Sequence, residues 1–193
     1  MSNESLKKNF MDRATIFIKK NLKAIFVCLF ILLIILFTFF FYDNLQKKKN
    51  IKISEQYAQA SILIKQKKIS ESKILLDLII NKDHQFYSPL ALYLMIDNNV
   101  ENEEKKIIIF FDRILKNKSI DKENLNLIRI KKAIYLINID NEELIVSTLN
   151  PIINSSSAWK NMAIDIISQY FISKNQNLKA DEYLQLLKNK KNK

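Results

Sequence analysis

Apolar and polar residues follow two regimes along this chain. From Ala24 to Tyr42 it reads AIFVCLFILLIILFTFFFY, 19 residues without a charge and with Thr38 as the one clearly polar side chain. At about 1.5 Å per residue such a helix spans a hydrocarbon core of roughly 30 Å. Lys19, Lys20 and Lys23 close it on one side, and Asp43 with Lys47, Lys48 and Lys49 on the other. Beyond it, apolar residues recur at helical spacing, separated by short breaks rich in Asn, Ser, Asp and Lys. Ser72, Leu75, Leu76, Ile79 and Ile80 form one such stripe, and Ile107, Phe110, Phe111, Ile114 and Leu115 another. A third runs through Trp159, Met162, Ala163, Ile166, Ile167, Tyr170 and Phe171. These are predicted to be helix faces buried against neighbours. No segment has the period-two alternation of a strand.

The apolar run has two competing readings. A cleaved signal peptide requires small residues at its end, whereas Phe39, Phe40, Phe41 and Tyr42 are bulky. A buried helix of a soluble protein requires a core able to surround a helix that is apolar on every face. The expectation is an uncleaved anchor with boundary residues Ala24 and Tyr42. Lys7, Lys8, Arg13, Lys19, Lys20 and Lys23 precede it, against Lys47, Lys48, Lys49 and Lys52 just after it, a slight bias toward a cytoplasmic N-terminus and an exported C-terminal domain.

Ser70, Ser88, Asp121, Asp140 and Ser156 each precede a periodic run and are predicted N-caps, with Pro89 at a first helical position. The last helix carries Asp181 and Glu182 early and Lys188, Lys190 and Lys191 late, in agreement with the macrodipole. Eight helices beyond the anchor fall into four pairs, at 53–82, 88–118, 121–154 and 156–190. Their first helices open about every 34 residues, the period of the tetratricopeptide repeat (TPR). Ala60, Ala133 and Ser168 sit near the first small position of that repeat, and Ser72 and Ala180 near the second. Leu94 and Lys106 occupy these places in the second pair. The predicted fold is all-α: one transmembrane helix followed by a TPR-like α-solenoid of about four helical hairpins, with an irregular helical bundle as the alternative. The predicted divisions are a basic segment 1–23, the anchor 24–42, a basic juxtamembrane linker 43–52, the repeat domain 53–190 and a tail 191–193.

Composition narrows the chemistry. The chain has no Gly, so a P-loop or dinucleotide fingerprint cannot form in its usual shape. His84 is the single histidine and Cys28 the single cysteine, the latter inside the apolar run, which removes an HExxH zinc site, an intramolecular disulfide and a Cys-based metal site. No cofactor, metal or small-molecule substrate is expected. The Lys, Ile and Asn bias is read as AT-rich codon drift in a small bacterial genome. Net charge is +11, and beyond the anchor 25 basic residues face 18 acidic ones, interspersed as on a solvated helix surface rather than as a nucleic-acid patch. The Lys47–Lys49 run could meet anionic lipid headgroups or serve as the anchor's stop signal. Glu101, Glu103, Glu104 and Glu142, Glu143 stand at helix starts, where negative charge is favourable without catalytic duty. Trp159 is either core or the anchor for a bound peptide, and it is the weak candidate for partner binding.

With the basic start, the single span, Tyr57-Ala58-Gln59-Ala60, Ser88-Pro89-Leu90-Ala91, Leu125 to Arg129, Ala158-Trp159-Lys160 with Ala163, and Asn177-Leu178-Lys179-Ala180, the chain resembles the ancillary SecYEG translocon subunits. These are single-span inner-membrane proteins with a periplasmic tetratricopeptide-like domain. The resemblance implies a non-enzymatic adaptor in the bacterial inner membrane, N-terminus cytoplasmic and C-terminal domain periplasmic. Its partners would be SecYEG, periplasmic chaperones or emerging chains. The missing Gly, the Ile-rich helices and the scarcity of small packing residues depart from that family. Two other readings stay open: a scaffold for cytochrome maturation or cell division, and a membrane-bound enzyme using a carboxylate site that the spacing does not reveal.

Overall fold

The structure, a computed structural model, describes Arg13 and residues 20–188; the rest of the basic segment 1–23 and the tail 191–193 lie outside the described residues. The described elements are eight helices: α1 (Leu22–Lys65), α2 (Ile69–Ile80), α3 (Tyr87–Asp97), α4 (Glu104–Leu115), α5 (Lys122–Asn138), α6 (Glu142–Ile153), α7 (Lys160–Ser173) and α8 (Asn177–Lys188). Among the described residues there is no strand. The chain divides into two compact units, residues 1–52 and 53–193.

In the first unit, α1 carries the apolar run. It is long and apolar enough to cross a membrane by length and composition, and none of its most apolar window is buried in protein. Its large side chains from Phe30 to Tyr42 are exposed. Thr38 Oγ1 donates to the Ile35 carbonyl at 2.9 Å, so the one polar side chain of the run satisfies itself within the helix. Residues 43–52, read from sequence as a linker, continue the same helix without a break. This stretch contains neither Gly nor Pro, and its Lys and Gln residues are good helix formers, so nothing local stops the helix.

The second unit holds the core. Each helix from α2 to α8 packs against the next in sequence, and α5 also meets α7. Two apolar clusters result. One centres on Leu76, Ile79, Leu92, Met95, Ile107 and Phe111, and the other on Leu136, Ile145, Leu149, Ile164, Ile167 and Phe171. The predicted stripes of α2 and α4 face this core. On α7, Ala163, Ile167, Tyr170 and Phe171 of the predicted stripe are inside together with Ile164 and Ser168, while Trp159 and Ile166 are half-buried and Met162 is exposed.

One turn recurs four times. Lys67, Asn99, Asp140 and Asn175, each two residues beyond the end of α1, α3, α5 or α7, have positive φ of 50–61°. In each the following amide reaches back to a buried residue's carbonyl: Lys68 to Leu63, Val100 to Met95, Asn141 to Leu136 and Gln176 to Phe171, at 2.9–3.2 Å. This is the Schellman arrangement, normally closed by Gly. Measured from these turns, Ala60, Leu92, Ala133 and Ser168 are equivalent, each at most 1% exposed. The second pair therefore has Leu92, not Leu94, at the tight position. Ser72 Oγ donates to the Ala60 carbonyl at 3.1 Å, which requires close approach of α1 and α2.

Side-chain bonds join residues 30 to 37 positions apart. Arg113 grips Asp83 through two nitrogens at 2.7 and 2.8 Å, Lys174 meets Asp140 at 2.6 Å, and Glu123 Oε2 accepts from Ser157 Oγ at 2.7 Å. Lys179 meets Glu142 at 2.8 Å.

The predicted caps divide. Asp121 accepts from the Asn124 amide as expected. Asp140 takes the left-handed turn instead, and Asn141 caps α6 through the Leu144 amide. Ser70 lies inside α2, and α7 begins at Lys160 after the Trp159 amide has bonded Ser157 Oγ, so neither Ser70 nor Ser156 caps. Ser88 is inside α3 and buried; its Oγ accepts from the His84 amide and donates to the Ile79 carbonyl, both at 2.9 Å. Cap duty at α3 falls to His84, whose Nδ1 accepts from the Phe86 and Tyr87 amides at 3.1 Å.

Candidate functional site

Between α3 and α5 lies a groove of about 170 Å³. Its α3 wall is Tyr93, Ile96 and Asp97, its α5 wall Lys131, Ile134, Tyr135 and Asn138, and Phe111 closes the floor. The α5 residues sit at i, i+3, i+4 and i+7, so one helical face supplies them all. A different face, bearing Ile128, Ala133 and Leu136, enters the core. Ile134 is 45% exposed although it lies beside two half-buried tyrosines.

Phe111, buried in the core, packs on Tyr135 with ring centroids 6.1 Å apart, which fixes that ring from below. Lys131 Nζ stands 5.8 Å from the Tyr93 ring centroid, within reach of a cation–π attraction. Burial pushes the Tyr93 hydroxyl up to about 12. Burial, followed by the charges of Glu104 and Glu101, also raises that of Tyr135. Both phenols are therefore neutral at physiological pH and offer donor hydroxyls on apolar rings. Lys131 and Asp97 are exposed, and neither forms an ion pair among the described residues.

A larger open depression of about 700 Å³ lies along α4, lined by Asp83, Asp112, Arg113 and Lys116 among others. Three of its charges are already engaged: Arg113 on Asp83 at 2.7 Å, and Asp112 on the buried Lys132 at 2.6 Å. A shallow surface on α6 includes Glu142 and Glu143. Glu142 is held by Lys179, which with help from Gln176 leaves its carboxyl below the usual range against the opposing effects of burial and the Asp140 charge.

Glu101 is the most perturbed carboxylate. Burial opposes its ionisation, but Lys106, Lys73 and the Glu103 amide outweigh it and hold the group down to about 2. Lys73 and Lys106 approach it at 3.0 and 2.9 Å, and Lys106 also meets Asp77 at 2.7 Å. The set ties α2 to the α3–α4 connection and to α4. Glu103 and Glu104 flank the start of α4, as the sequence suggests.

Trp159 lies outside the groove, half-buried against the second core cluster at the start of α7. The groove residues escape a reading based on the strongest stripe, because Tyr93, Ile134 and Tyr135 belong to weaker second faces of helices whose core faces dominate. The i, i+3, i+4, i+7 set on α5 was the available signal. No group of three or more His, Cys, Asp or Glu residues placed to hold a metal ion occurs among the described residues. No family model, curated protein or solved structure matches the chain.

Proposed function

We propose that the protein is a non-enzymatic adaptor of the bacterial inner membrane, anchored by α1, whose TPR-like domain binds extended polypeptide in the α3–α5 groove. The observation that carries this reading is the groove itself: two neutral tyrosines and an exposed isoleucine gathered by α3 and α5, beside two opposite charges that form no ion pair among the described residues. Apolar patches rimmed by polar groups are the usual character of polypeptide-binding surfaces. The four recurring turns support the repeat reading, since each pair then contacts its neighbours in a nearest-neighbour stack.

On its resemblance to the ancillary translocon subunits, the partners are SecYEG, periplasmic chaperones and chains emerging from the channel, with the N-terminus cytoplasmic and the domain periplasmic. Copurification of the full chain in mild detergent tests the assignment. Translocon subunits or periplasmic chaperones above control are the expected result, and absence of both removes it. Reporter fusions to the C-terminus test the orientation: activity of a periplasm-dependent reporter is expected, and activity of a cytoplasm-dependent reporter alone overturns it.

A further inference from the structure

We infer that the α3–α5 groove selects one aromatic side chain, flanked on one side by an acidic residue and on the other by a basic one, in an extended segment of its client; this rests on the adaptor reading. Three observations carry it. The first is size: the groove, open on its outer side, offers about 170 Å³. An apolar cavity of about 150 Å³ accommodates a benzene ring. The second is lining. Tyr93 and Tyr135, half-buried above the core ring of Phe111, offer ring surface against which an incoming ring gains specific offset or edge-to-face contact in addition to its buried area. The third is charge. Lys131 on the α5 wall and Asp97 on the α3 wall are exposed and form no ion pairs among the described residues, so the groove has a positive and a negative side. An occupant with its acid toward Lys131 and its base toward Asp97 is attracted at both sides, and one with two acids is repelled at Asp97.

A binding assay on the full chain in detergent micelles decides this, with fluorescein-labelled eleven-residue peptides of Ser and Ala that have Asp-Phe-Lys at the centre. The Asp-Phe-Lys probe should bind about tenfold more tightly than its Asp-Ser-Lys counterpart. Ile134→Asp, at an exposed position, should abolish that preference. Lys131→Glu, also at an exposed position, should weaken Asp-Phe-Lys about tenfold and strengthen a Lys-Phe-Lys probe. Circular dichroism should show both variants folded. Equal binding of the Phe and Ser probes, or a charge preference unchanged by Lys131→Glu, overturns the inference and leaves the adaptor reading intact. If no probe binds at millimolar concentration, the aromatic groove is likewise overturned. The adaptor reading fails separately, when copurification also returns no partner.

Discussion

Lys67 stands in the left-handed region at φ 61°, where a Cβ is strained and a glycine would be at ease. Asn99 and Asn175 fill the equivalent turns with the residue type best suited after glycine. The Lys67→Gly variant should therefore be more stable by about 1 kcal/mol, and Lys67→Val less stable, by urea unfolding in detergent. His84 offers a second residue-level test. Burial lowers its pKa, and its neutral Nδ1 accepts the two amides that open α3. The unfolded chain takes up the proton first, so the stability this histidine adds is complete above about pH 6.5 and is lost as the pH falls through the lower folded value. His84→Asn keeps an acceptor without a titration, and it should flatten the stability profile between about pH 5 and 7. The caps show local chemistry departing from the simplest rule. Asp121 follows the usual N-cap rule, whereas at α3 a histidine nitrogen replaces the hydroxyl, and Ser88 bridges two segments from a buried site.

At the scale of elements, the close approach of α1 to α2 depends on Ala60, which is fully buried beneath Ser72. Ala60→Leu and Ala133→Leu should each destabilise the domain by about 1–3 kcal/mol through overpacking, seen as a lower urea midpoint. Glu101 fastens α2 to α4 through Lys73 and Lys106. Its depressed carboxyl contributes stability that is present above the ordinary carboxylate range and is lost as the pH falls toward about 2. Glu101→Gln should cost about 2 kcal/mol at pH 7 and reduce the acid sensitivity of unfolding. Helices with one strong apolar stripe, such as α2 and α4, were legible from periodicity alone. On α7 the stripe marks most of the buried face, but it misses Ile164 and Ser168 and takes in Met162, which is exposed. The juxtamembrane stretch read as a linker from its charge, yet charge does not stop a helix where Gly and Pro are absent.

For the whole molecule, the sequence plainly carries a helix long and apolar enough to cross a membrane, since 19 uncharged residues have a simple physical meaning. The groove was illegible because its two walls lie some forty residues apart on faces that only tertiary packing brings together. The account holds that this groove receives a polypeptide while the chain is anchored in its membrane. A photo-crosslinking residue at Ile134 of the full-length chain in intact membranes, compared with one at exposed Lys122, tests this most directly. Crosslinks from Ile134 alone, to translocon subunits or exported chains and suppressed by the Asp-Phe-Lys peptide, are the predicted result. Equal crosslinking at both positions, or none at Ile134, would contradict it.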